Sequence, residues 1–188
     1  PDGALRQTST SSAVDLEFHT ETAFHPHRPH HLLLVCLKGD PSARTFLCSV
    51  TEVLPHLDAA TIAQLRRPAF RMRVDESFGG TPDTPLGPPV AVLSEDLERP
   101  TLLFDADIMT AVDPAAAQAL DRFRTVALET RLGVALEPGD LLVVDNHVAI
   151  HGRSAFGARF DGTDRWLQRA FVVDELAPSA ADRVGRII

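Results

Sequence analysis

The 188-residue sequence is short of cysteine, of positive charge and of long apolar runs. Each shortage excludes something. Cys36 and Cys48 both sit inside apolar runs and read as buried free thiols, which leaves neither a disulfide framework nor a cysteine zinc site. Lys and Arg number 18 against 26 Asp and Glu, a net charge of −8, so the basic patch that nucleic acid requires is not expected, nor is attraction to an anionic membrane. No apolar run approaches the ~20 residues of a spanning helix. No signal-peptide pattern opens the sequence as given, and a cytoplasmic location is the expectation. There is also no initiating methionine: the chain opens Pro1-Asp2-Gly3, from which upstream sequence is expected to be missing. Internal repeats, low-complexity tracts and linkers are absent, so 1–188 reads as one domain, or the C-terminal part of one. Oligomeric state is left open.

With 44% hydrophobic residues the chain can build a core. Residues 1–14 are polar, and the Ser/Thr cluster at 8–12 reads as a loop approaching a site. His25, His27, His30 and His31 stand among prolines and read as loop residues, some tuning nearby hydrogen bonds. The apolar runs at 32–37 and 45–53 read as buried strands separated by a turn. A short helix is expected over 55–67, ended by Pro68, and a half-buried strand over 70–74. The Gly/Pro-rich stretch at 79–89 is a loop, and 76–89 is a candidate active-site lid. Short strands are expected at 90–93 and 101–104. A long helix is expected over 114–132, started by Asp113-Pro114 and stopped by Gly133. Pro138-Gly139-Asp140 is a turn before a buried strand at 141–144. A last strand runs over 166–173, and the tail from 176 reads as helical or loose. The fold class expected is mainly β with helices, a β-sandwich or jelly roll.

His19 and Glu21 carry the chemistry. On a strand, residues i and i+2 point to one face, so an imidazole and a carboxylate project side by side. That is two thirds of a 2-His-1-carboxylate facial triad, which holds non-haem Fe(II) and leaves coordination positions open. His151 is the candidate third ligand. His147, four residues earlier, reads as structural. Asp105 and Asp107, again at i and i+2, share a face if their segment is extended.

Taken together, His19-Thr20-Glu21, His151 and Arg165 resemble the Fe(II)/2-oxoglutarate-dependent oxygenases. The stretches 16–21 and 138–146 look like the clavaminate-synthase-like branch. Phe104-Asp105-Ala106-Asp107 and Arg169 are similar to its amino-acid hydroxylases, especially those acting on L-arginine. The resemblance covers nearly the whole chain, but the family's members are longer. It implies a double-stranded β-helix (jelly-roll) core, incomplete at the N-terminus. It implies Fe(II), with 2-oxoglutarate and O2 as cosubstrates, and a small amino-acid substrate as partner.

The same resemblance distributes the site residues. His19, Glu21 and His151 would hold iron. Arg165, helped by Thr45, would grip the distal carboxylate of 2-oxoglutarate, because a guanidinium binds carboxylate in a planar, bidentate way. Asp105 and Asp107 would clamp a cationic side chain and Arg169 would bind the α-carboxylate. Ser9 and Glu21 would reach the α-amino end. The implied reaction is hydroxylation of free L-arginine at C3 or C4, coupled to decarboxylation of 2-oxoglutarate to succinate and CO2, in natural-product biosynthesis. Lysine, ornithine, citrulline or a carrier-bound amino acid are alternative substrates. Rival readings are a zinc hydrolase on the same three ligands, which gives no reason for Arg165 or Arg169, and a non-catalytic jelly-roll module or inactive fragment.

Overall fold

The computed structural model describes residues 5, 7, 8 and 11–182. Among them, antiparallel strands dominate and short helices decorate. The strands are β1 (Leu16–His19), β2 (His31–Lys38), β3 (Thr45–Ser49), β4 (Phe70–Met72), β5 (Met109–Ala111), β6 (Leu132–Val134), β7 (Leu141–Asp145), β8 (Ala149–Arg153) and β9 (Trp166–Val172). The α-helices are α1 (Val50–Val53), α2 (Ala59–Leu65) and α3 (Pro114–Thr130). A four-stranded sheet has the order β1-β8-β3-β6, a three-stranded sheet the order β7-β2-β9, and β4 pairs with β5 alone. All pairings are antiparallel.

Consecutive strands β2 and β3 thus fall in different sheets. The apolar runs that build the three-stranded sheet are covered on one side only. In β2, Leu32 and Cys36 are buried while Val35 and Leu37 are exposed; in β7, Val144 is buried while Leu141 and Val143 are exposed. The expectation of fully buried strands at 32–37 and 141–144 is corrected accordingly: their length of apolar sequence does not report how many faces are covered.

The main core lies where the helices meet the four-stranded sheet. α3 buries Ala116, Ala119, Phe123, Val126 and Ala127, and Phe123 packs on Phe104 with ring centroids 4.9 Å apart. This core also takes in Phe18, Cys48, Val50 and Ile150, so it supports the strands that carry the site. The helix begins as its sequence dictates: the Asp113 side chain accepts the Ala116 N–H at 2.8 Å, a cap whose loss costs about 1 kcal/mol.

Its end differs from expectation. Gly133 is no helix stop but the middle of β6, opposite Phe46, whose ring would lie 3.2 Å from a Cβ placed there. The helix expected over 55–67 is broken, because Asp58 caps a new helix, α2, by accepting the Thr61 N–H. Val50–Val53, expected as strand, is α1, capped by Ser49. The strands expected at 90–93 and 101–104 are reduced to isolated bridges, Phe70 to Val90 and Leu93 to Leu102.

Candidate metal and substrate site

Strand β1 lies between β8 and the segment 104–106. In the ladder to β8, His19 faces His151 directly. On the other side, His19 bridges Asp105, Thr20 N–H donates to the Phe104 carbonyl and Ala106 N–H to the Phe18 carbonyl. Glu21 stands two residues past the end of β1, in a turn, so strand alternation does not by itself aim it. Its carboxylate still converges with both imidazoles: one ligand atom from each of His19, Glu21 and His151 lies within 4.8 Å of the others. The two rings are 4.3 Å apart, and His151 Nε2 is 3.4 Å from Glu21 Oε2.

Three observations fit this group to a cation. His19 Nδ1 sits 2.8 Å from the Glu17 carbonyl oxygen, so it carries the proton and leaves Nε2 as a free lone pair. Glu21 Oε2 and His151 Nδ1 are buried with no hydrogen-bond partner, a costly state that a ligand at Oε2 relieves. Burial pushes the Glu21 carboxyl up, but His151, His19 and Arg169 together outweigh it and hold the pKa below the ordinary carboxylate value. Burial, with His19, pulls His151 down, against the neighbouring Glu21. Both shifts favour the deprotonated forms that bind metal. Two imidazoles and one carboxylate suit Fe(II) or Zn(II) equally by donor type.

Two cavities meet at this group. The inner one, of about 220 Å³, runs between the sheets and is walled by Leu32, Leu34 and Leu167. Arg165 ends it, donating to Thr45 Oγ1 at 3.1 Å. Burial lowers the Arg165 pKa, and Cys36 and Asp40 partly offset this. Among the described residues Arg165 has no salt bridge. Leu167 and Arg169 lie on one face of β9, and Arg165, the residue just before the strand, lines the same cavity.

The outer cavity is acidic, with Glu17, Asp75, Asp105 and Asp107 in its wall alongside His19, Glu21 and Arg169. Arg169 donates to Glu21 Oε1 at 2.9 Å. Asp105 and Asp107 do lie together, but not as an extended pair. They form a turn in which Asp105 Oδ1 accepts the N–H groups of Asp107 and Ile108, a correction to the expectation of strand alternation. Burial pushes Asp105 up to about 6, with Asp107 adding to the rise, while His19 and the two N–H groups oppose it. Burial and then the carboxylates of Asp75, Glu17 and Glu76 raise Asp107. Ser9 lies outside the described residues.

Sequence reasoning missed three participants. Glu17 was visible as the outward neighbour of His19, and both its oxygens accept from Arg124. Asp75, at the root of the 76–89 loop, caps the 3₁₀ turn Glu76–Phe78, and nothing in its local sequence points to a cavity. Asn146 closes the 138–146 stretch, where its side chain had no assigned task.

A His/carboxylate/His group between antiparallel sheets, with a guanidinium-ended cavity behind it, has the layout of a non-haem metal dioxygenase. The comparisons place the chain within that class. It belongs to the taurine catabolism dioxygenase TauD, TfdA family, whose model matches residues 2–171. An L-lysine 3-hydroxylase of Catenulispora acidiphila is 40% identical over 191 residues, covering 98% of this chain and 53% of the relative. The solved structure of asparagine oxygenase in complex with Fe(II), 2S,3S-3-hydroxyasparagine and succinate superposes with a TM-score of 0.93 at 39% identity, covering 98% of this chain and 58% of that one. The non-heme iron oxygenase OrfP in complex with Fe, succinate and (3S)-hydroxy-L-Arg gives 0.86 at 30% identity, covering 99% and 60%. The chain spans about half the length of the curated relatives it matches.

Proposed function

We propose that this chain carries the active site of an Fe(II)/2-oxoglutarate-dependent hydroxylase of free amino acids with cationic side chains, L-arginine first, at C3 or C4. The two sheets are read as a jelly-roll core. The observation that carries the substrate reading is the outer cavity, where Asp105 and Asp107, without a salt bridge among the described residues, share one wall with Glu21 and Arg169. A zwitterion with a cationic tail matches that sequence of charges. L-Lysine is the second reading. The turn engages Asp105 Oδ1, and the three carboxylate oxygens left can accept from the three N–H groups of an ammonium as well as from a guanidinium.

His19, Glu21 and His151 would hold the metal. When bound there, Fe(II) supplies O2 activation and couples carbon hydroxylation to decarboxylation of 2-oxoglutarate to succinate and CO2. The remaining work falls to the chain. Arg165 and Thr45 take the distal carboxylate of 2-oxoglutarate, and Leu32, Leu34 and Leu167 keep water off its methylenes. Arg169, partly exposed and bonded to the buried Glu21, takes the α-carboxylate of the amino acid. Asp105 and Asp107 hold the far end of its side chain, so the carbon to be oxidised lies between two fixed charges. The loop 76–89 is read as the lid that shields the reaction. The product would feed peptide natural-product assembly.

The decisive experiment gives the full-length protein Fe(II), 2-oxoglutarate, ascorbate and a panel of free amino acids, with mass spectrometry of the products. A product heavier by one oxygen from L-arginine or L-lysine, with matching succinate, is expected. Hydroxylation of neutral amino acids alone would reject the acidic-clamp reading. Neither succinate nor product from folded, iron-loaded protein would reject the oxygenase.

A further inference from the structure

Asn146 is fully buried in the turn between β7 and β8. Its Oδ1 accepts the Glu21 N–H at 2.6 Å, and its Nδ2 donates to the carbonyl oxygens of Glu21 at 3.1 Å and Pro29 at 2.9 Å. The side-chain amide therefore pairs with both backbone groups of Glu21, as a residue on a neighbouring strand would. Glu21 needs such a partner. It has left β1, and the next residue, Thr22, holds a φ of +48°, a region that β-branched residues rarely adopt. The turn that carries Asn146 leads straight into β8, which presents His151 five positions on. One amide thus ties the Glu21 carboxylate to the element that delivers an imidazole.

We infer that Asn146 is a positioning residue for Glu21, fixing the carboxylate relative to His151 through the Glu21 peptide rather than by touching metal or substrate. The inference rests on the reading of His19, Glu21 and His151 as the metal-holding group. Asparagine is required because the task needs an acceptor and two donors on one planar group. Aspartate matches its shape and keeps only the acceptor, setting a negative charge against two carbonyl oxygens.

The test titrates the full-length wild type, Asn146→Asp, Asn146→Thr and Glu21→Ala with Co(II), following its visible absorption, and records melting of the metal-free proteins. The same variants with Fe(II) give the ratio of succinate to hydroxylated product. Expected for both Asn146 variants is a Co(II) dissociation constant raised about 10–100-fold, the usual effect of losing a group that orients a metal ligand. A changed Co(II) spectrum and excess succinate over product accompany it, in protein still folded at the assay temperature. Co(II) affinity, spectrum and product ratio unchanged in folded variants, with only the melting temperature lowered, would overturn the inference. So would failure of both variants to fold, which would assign Asn146 to the fold alone. Tight binding lost in Glu21→Ala and kept in both Asn146 variants overturns this inference and spares the metal reading. Equal binding by wild type and Glu21→Ala overturns both.

Discussion

The two cavities that meet at Glu21 are opposites in charge and lining. The inner one is walled by leucines between the sheets and ends in Arg165, a guanidinium without a carboxylate partner among the described residues. The outer one is rimmed by Glu17, Asp75, Asp105 and Asp107 and opens toward the 76–89 loop. An anion with an apolar middle is favoured in the first and repelled from the second, while a cationic tail experiences the reverse. If the proposed reading holds, cosubstrate and substrate are sorted by field alone, before any shape is matched. The His/Glu/His group sits on the boundary.

The largest effect should come from removing what both cavities share. Glu21→Ala or His19→Ala should take turnover to background with the fold retained by circular dichroism; persisting succinate formation would break the metal assignment. Next is Arg165→Ala, which should raise KM for 2-oxoglutarate by roughly 100-fold, the cost of leaving a buried carboxylate unpaired. The amino-acid KM should hardly move, and equal changes in both would show that the cavities are not separate sites. Asp105→Asn combined with Asp107→Asn should do the converse, raising KM for L-arginine or L-lysine by roughly 10–30-fold, since Asp107 is only partly buried and its attraction for a cation is screened by solvent. An unchanged KM for both amino acids rejects the clamp.

The smallest effect is in pH. Asp105, pushed up to about 6 by burial, is neutral below that pH and cannot hold a cation. Affinity for a cationic amino acid should therefore rise as pH increases through 6, by up to about tenfold between pH 5 and 7. Affinity for 2-oxoglutarate, held by an arginine, should stay flat. Calorimetry on protein loaded with Mn(II) checks both, and parallel curves would remove Asp105 from the comparison.

Sequence exposed the inner cavity better than the outer. Period-two alternation along β9 is enough to put Leu167 and Arg169 on one face, with Arg165 one residue before the strand, and Thr45 starts a strand whose apolar character is plain. The outer cavity depends on turns. Asp105 and Asp107 come together through an Asx turn, because the Asp105 oxygen captures two N–H groups before a strand can form. Asp75 reaches the site only through tertiary packing of a loop. Which sheet each strand joins was also illegible. β1 pairs with β8 and β2 with β9 across more than a hundred residues, and an apolar run states its partner nowhere in its own composition. Gly133 illustrates the same limit: a glycine that closes a helix and one that lets a phenylalanine ring lie against a strand read alike.

Gly152 has a consequence for how this site can change over time. A Cβ at that position would stand 2.7 Å from the Leu16 carbonyl oxygen, so any other residue forces β1 away from β8. The interval between His19 and His151 is therefore a property of two backbones in contact, not of adjustable side chains. The walls of either cavity can be rewritten for a new substrate without retuning that interval, whereas a single methyl group at residue 152 would reset it.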